Sequence, residues 1–439
     1  MKIVELSPID FDNYAKTSEY ANPYQTSSFG RAAETLGYSV LYLGFEEGLA
    51  IKGVTLLLTK MVYLGQSVSY APRGPLIDYQ DYNFAEDVFV TLKSYLNGRK
   101  IMSFTMDPPV ILSIRNKYGA LKENSNNVDK KLDAILHGGE IIKANPYAKD
   151  IVNFLLKKIK FDYRGQNLFF EGILPRWYSV TNLPINSKTL LAKMDKRART
   201  KLRKAAKLGV EILKDETKNI DAIYEIAQEK FDRPIEFYRN LILDNPDCEI
   251  YIARVNSEKY VNNSKILYER EIERNEILNR IIQEKNATGK NMHRSLNQKM
   301  ESDRIISGFK EHLVTSTQTL KDYPDGRIIA MCIVIKNGSN NVCIFEDGFL
   351  KQYSNLNAAF LLRWKVIEQY SNSNFRTFIF GEITGGFDPR RNPLYGLNES
   401  KLALRGSILE YIGEFGIMTN KTMYNLYLAS MGNQTIFKI

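Results

Sequence analysis

Cysteine, histidine and tryptophan are scarce in this chain, at three, three and two of 439 residues. Cys248, Cys332 and Cys343 have no pairing pattern in their spacing, and two of them stand in the apolar runs Met331-Cys332-Ile333 and Val342-Cys343-Ile344. That excludes a disulfide framework and a zinc site from the expectation. His137, His293 and His312 are scattered, two of them in charged helical sequence, so a histidine triad or metal centre is not expected either. Long apolar runs are missing too. The opening MKIVELSPIDFDNY places acidic residues where a signal peptide needs an apolar core. These absences predict a soluble, cytoplasmic protein.

Negative charge is in deficit, with 60 Lys and Arg against 50 Asp and Glu. A net charge of +10 predicts attraction to anions such as nucleic acid, phosphorylated substrates or an acidic leaflet. What is abundant is core material: 44% hydrophobic and 11% aromatic residues suffice for two globular units. Residues 24–38, YQTSSFGRAAETLGY, read as a helix capped by Ser27 or Ser28. Strand-like runs follow and lead into YAPRGPLIDY, where two prolines and a glycine define an extended turn that presents Arg73 and Asp78 after Tyr70. The run FTMDP ends a further strand with Asp107 at its tip. From 109 to about 157 the pattern weakens through the NSNN tract and Gly138-Gly139, and this stretch reads as the joint between units.

Residues 193–210, KMDKRARTKLRKAAKLGV, form the densest run of cations. Met194, Ala198, Leu202 and Ala205 supply one apolar side of a helix ended by Gly209, and Arg197, Arg199 and Arg203 belong to its charged remainder. A solvated helix face is the plain reading. With Asp195 alone to offset the charge, phosphate binding is favoured over it. Residues 257–313 are polar, free of proline and periodic at Tyr268, Ile272, Leu278, Ile282, Met292, Leu296 and Met300. They predict an antiparallel helical hairpin with arms about 30 to 40 Å long.

The globular pattern resumes with RIIAMCIVIK and NNVCIFEDGF joined by Asn337-Gly338, then the helix LNAAFLLRWKVIEQY and the strand FRTFIF. A polar loop after Gly381 separates that strand from LALRGSILEYIGEF, which suggests a second one. Lys401 stands just before the apolar residues 402–404 and is taken as the floor of a site. The units expected are 1–150, 151–256 with 314–439, and the hairpin 257–313 inserted in the second, with 405–439 packing on the first.

Together these segments resemble the Fem family, bacterial aminoacyltransferases that build peptidoglycan interpeptide bridges. The resemblance rests on YQTSSFGRAAETLGY, YAPRGPLIDY, the basic helix ending in Gly-Val, the hairpin and SKLALRGSILEYIGEFGIMTNKTMYNLY, in family order along nearly the whole chain. It implies an α/β chain of two GNAT-like acyltransferase folds with the hairpin inserted. It implies transfer of Gly, Ser or Ala from aminoacyl-tRNA to the side-chain amine of the stem peptide, on a lipid-linked or UDP-linked muropeptide precursor. A peripheral contact with the inner membrane face would follow. Lys401 matches a family lysine associated with stabilising the tetrahedral intermediate, preceded here by Ser400 rather than Phe. A family phosphate-binding lysine aligns with Ala33, leaving Arg31 as the nearest cation.

An aminoacyl ester is already activated, so no cofactor or metal is expected beyond aminoacyl-tRNA as co-substrate. Asp78 and Asp107 are the carboxylates available to orient or deprotonate the amine. Two other classes stand beside this reading: a non-catalytic RNA-binding protein, and an acyl-CoA-dependent GNAT N-acyltransferase. The second lacks an evident Gly-rich pyrophosphate turn opening a helix.

Overall fold

A computed structural model describes residues 1–116, 140–165, 167–338, 340–431 and 436–439; the NSNN tract, His137 and Gly138-Gly139 lie outside the described residues. The first five strands are β1 (Lys2–Glu5), β2 (Ser39–Glu47), β3 (Ala50–Tyr63), β4 (Gln66–Ala71) and β5 (Ile101–Met106). The chain continues through β6 (Ile111–Asn116), β7 (Glu140–Ala144), β8 (Asp162–Tyr163), β9 (Trp177–Asn182), β10 (Val210–Lys214) and β11 (Cys248–Val255). After the hairpin come β12 (Arg327–Asn337), β13 (Asn341–Phe349), β14 (Thr377–Ile383), β15 (Ser407–Tyr411) and β16 (Phe415–Met418).

They form two sheets, ordered β1-β2-β3-β4-β5-β16-β8 and β10-β11-β12-β13-β14-β9-β15-β6-β7. Each sheet repeats one device. Antiparallel strands end in a parallel pair joined through a helix: β4 to β5 through Tyr82–Gly98, and β13 to β14 through Ala358–Tyr370. This is the pair of related α/β units expected from the sequence, but the sheets do not divide where the units were drawn. β6 and β7, inside 1–150, pair into the second sheet; of the 405–439 segment expected on the first unit, β16 lies in the first sheet beside β5, whereas β15 pairs with β9 in the second. A buried cluster continues from Phe29 and Tyr70 to the second sheet, and Phe437 lies against Tyr38 and Tyr70.

The hairpin arms are Ser257–Ala287 and His293–Asp322, 31 and 30 residues, or about 45 Å each at 1.5 Å per residue. The second arm runs nine residues past the expected end, because its last turns are tied to the globule. The Thr319 hydroxyl lies 3.1 Å from that of Tyr353 in the globule, and between the arms Tyr260 Oη and His312 Nδ1 are 3.0 Å apart. Burial, reinforced by Lys204, pushes His312 down to about 4. The seam also differs from the expected one. Leu278 is buried, but Leu296 and Met300 are exposed. Ser295, Ser302 and Ser316 face inward instead, spaced by seven and fourteen residues, and Asn275 donates to Asp303 at 2.8 Å across the arms.

Candidate active site

β13 and β14 pair only over Asn341↔Thr377, Val342↔Phe378 and Cys343↔Ile379 and then part. Three charged side chains enter from the elements around that gap. Asp347 comes from β13, Glu382 from β14, and Lys401 from the last turn of the helix Tyr395–Leu402. The sequence reading placed Lys401 in a loop ahead of a strand. The segment YGLNESKL instead forms a short helix just after Pro393, with Leu397, Glu399, Lys401 and Leu402 as its good helix formers, and the strand starts later, at Ser407. Lys401 Nζ lies 3.7 Å from Asp347 Oδ1 and 3.4 Å from Glu382 Oε2, and its side chain is 1% exposed.

The cluster extends in both directions. Arg363, on Ala358–Tyr370, grips Asp347 and donates to Ser400 Oγ at 2.7 Å; Lys230 reaches Glu382 Oε1 at 3.3 Å. Burial alone would raise the Asp347 carboxyl, but Arg363 and then Lys401 hold it at about 2. The loop between β14 and the helix is fixed from within: Asn398 accepts from Thr384 N at 2.8 Å, and Asn392 donates to Gly386 O at 2.6 Å. Sequence reasoning missed Asp347, Arg363 and Glu382. Their signal was a charged residue inside an otherwise apolar strand or helix, a pattern that marks buried pairs.

Glu382 lines a cavity of about 440 Å³ together with Tyr24, Arg73, Tyr178, Phe345 and Tyr411. Arg73 comes to it with its charge already engaged. Its guanidinium is 2.7 Å from Asp107 Oδ2 and stacks over the Tyr411 ring at 4.1 Å, while its backbone N–H and the Tyr70 hydroxyl each donate to Asp107 Oδ1 at 2.8 Å. Burial pushes the Asp107 carboxyl up to about 6, against the pull of Arg73. Tyr70, Arg73 and Asp107 are therefore brought together as an anchor beneath the cavity. Arg73→Ala is expected to cost about 3–5 kcal/mol of stability, the usual penalty for stranding one partner of a buried pair, which thermal unfolding will show. An unchanged melting curve with lost precursor binding would return Arg73 to a ligand role.

The remaining candidates lie elsewhere. Asp78 is exposed; its Oδ1 accepts from Gln80 N at 2.8 Å, and it lines a separate pocket with Lys52 and Tyr14 rather than the cavity that Glu382 lines. Arg31 rests on the Ser27 and Ser28 hydroxyls at 3.3 and 3.4 Å, outside the main cavity's described lining. Thr26, not Ser27 or Ser28, caps that helix, and Ala33 is fully buried. The basic helix is Lys196–Lys207; Ala198, Leu202 and Ala205 are buried, leaving Arg197 and Arg203 exposed and Arg199 half-buried. Lys196, Arg197 and Lys201 line a second cavity, of about 850 Å³, with Asn357, Arg363 and Ser400. The chain Ser400–Arg363–Asp347–Lys401–Glu382 thus runs from one cavity to the other.

The three cysteines are free and buried, no cluster of three potential metal ligands occurs among the described residues, and no described helix is long and apolar enough to cross a membrane. The FemAB family profile matches residues 6–430. The chain is 21% identical to aminoacyltransferase FemB of Staphylococcus epidermidis over 97% of both chains. It is 20% identical to the lipid II:glycine glycyltransferase of Staphylococcus aureus, over 97% of this chain and 95% of that one. The crystal structure of FemX superposes with a TM-score of 0.65 at 17% identity, covering 97% of this chain and 99% of that one.

Proposed function

This chain belongs to the FemAB family and is an aminoacyltransferase, and we propose that it moves an amino acid from aminoacyl-tRNA to the side-chain amine of a peptidoglycan stem peptide. The observation that carries the reading is the buried charge chain joining two cavities, with Lys401 at its centre. The smaller cavity, aromatic and apolar with one interior carboxylate, suits a peptide acceptor, whether lipid-linked or nucleotide-linked. The larger one, edged by the basic helix, suits the phosphate-rich 3′ end of a tRNA. The acceptor amine attacks the ester carbonyl, a C–N bond forms, the C–O bond to the ribose breaks, and the amine's proton is balanced by one taken up at the departing oxygen. Lys401 supports the oxyanion between these steps, and the residues present supply alignment and charge without a covalent intermediate.

The test is incubation with charged total tRNA and either form of precursor, followed by mass spectrometry of the stem peptide. A mass increase of one or more Gly, Ser or Ala residues is expected. RNA binding with no product from either precursor would overturn the reading in favour of a non-catalytic RNA-binding protein. A companion expectation concerns the donor side: replacing Arg197, Arg199 and Arg203 by Gln should weaken tRNA binding and flatten its salt dependence by up to about three phosphate contacts. Unchanged affinity in filter binding across a salt series would make this helix a solvated face.

A further inference from the structure

The acceptor cavity has two carboxylates in its described lining, Glu19 and Glu382. Glu19 is exposed. Glu382 is half-buried, its side chain 23% exposed, with Lys230 on Oε1 at 3.3 Å and Lys401 on Oε2 at 3.4 Å. A carboxylate offers about four lone-pair directions, so each oxygen keeps acceptor capacity after its lysine is counted. Burial works to raise this carboxyl, but Lys401 and Lys230 together hold it below the usual glutamate value, so it faces the cavity as an anion. The cavity's described lining also holds two cations, Arg73, which is paired with Asp107 at 2.7 Å, and Lys143, while Tyr24, Ile344, Tyr178 and Ile379 are uncharged.

We propose that Glu382 accepts a hydrogen bond from the acceptor's primary amine and is the residue that selects amine-bearing stem peptides. This rests on the acceptor reading of the cavity given above. Lys401 holds Glu382 Oε2 at 3.4 Å, and on the reading above the same ammonium supports the oxyanion. An amine held on Glu382 is thereby set next to the group that stabilises the oxyanion. The two cations flanking Glu382 also disfavour a third positive charge nearby, which biases a bound ammonium toward giving one proton to solvent and becoming the neutral, nucleophilic amine. When the C–N bond forms and the ester C–O bond breaks, the proton lost by nitrogen is matched by the one gained at the ribose oxygen, and Glu382 ends each turnover in the charge state in which it began.

The experiment compares two precursors in calorimetric titrations without donor: one whose third residue carries the amine, and the same molecule with norleucine there. Wild-type protein is expected to prefer the amine-bearing precursor by about tenfold or more, the scale of a hydrogen bond to a charged group. Glu382→Gln should reduce that preference to about twofold while binding the norleucine analogue as wild type does. Glu382→Asp, which keeps the charge on a shorter stem, should retain a measurable part of it. A merely structural glutamate would weaken both precursors together. Equal binding of the two by wild type, or a full preference retained in Glu382→Gln, overturns the assignment. Neither result touches the reaction itself, whose failure would appear as absence of transfer with wild-type protein.

Discussion

Lys401→Met is expected to lower aminoacyl transfer on the order of a hundredfold or more, the usual effect of removing one preorganised oxyanion donor, while precursor affinity changes little. The ammonium lies where β13 and β14 part, 1% exposed, between Asp347 and Glu382. A cation in such a site is screened by little water, so its attraction for a developing negative charge is far larger than at a surface. That attraction grows as the carbonyl oxygen becomes an oxyanion, and so it falls on turnover rather than on ground-state binding. Methionine keeps most of the volume and removes the charge. The fold should persist, because Arg363 still pairs with Asp347 and Lys230 with Glu382. Initial rates at saturating precursor, taken below the melting temperature recorded on the same preparation, provide the check. A folded variant with more than about a tenth of normal turnover would remove Lys401 from the chemistry.

The sequence carried those parts of this arrangement that are local. The antiparallel pairing of β12 with β13, the basic helix followed by Gly209 and the Pro-Arg-Gly-Pro turn each depend on residues close in sequence, and each is present. Lys401 could be singled out as a lone cation ahead of an apolar run. Its partners could not, since Asp347 and Glu382 are 54 and 19 residues away and meet it only because two strands diverge. Arg73 shows the same limit from the other side. A rigid turn presenting an arginine reads as a recognition element until β15 supplies Tyr411 and β5 ends in Asp107, which bury the charge. The passage of β6 and β7 into the second sheet was hidden for a related reason: which strands pair across units is decided by what each sheet leaves unpaired once it forms, and that is not written in strand composition. On the hairpin the period was legible on both arms, and its phase on the first, where Tyr268, Ile272, Leu278 and Ile282 are buried or half-buried, but not on the second. Small serines facing inward let the arms approach, and the larger Leu296 and Met300 turn outward.

Gly381→Ala is expected to lose about ten- to a hundredfold in turnover, on the scale by which a misplacement near 1 Å slows an enzyme, although it adds one methyl group. Gly381 has φ of +107°, a conformation that L residues rarely adopt, and a Cβ there would lie 2.5 Å from Lys401 Nζ. The end of a lysine is flexible, so the collision is relieved by withdrawing the ammonium from between Asp347 and Glu382. The protein should then fold with its key charge displaced. Backbone strain contributes separately, at about 1–3 kcal/mol, and has to be distinguished from the displacement. Gly37 supplies the control: its φ is +81° and nothing lies within 4 Å of a Cβ built on it, so Gly37→Ala carries positive-φ backbone strain without touching Lys401. Melting temperatures should fall in both variants, and turnover should fall only in Gly381→Ala. If both lose stability alike and Gly381→Ala retains wild-type turnover, the position of the Lys401 ammonium in the gap between β13 and β14 is not what the reaction depends on.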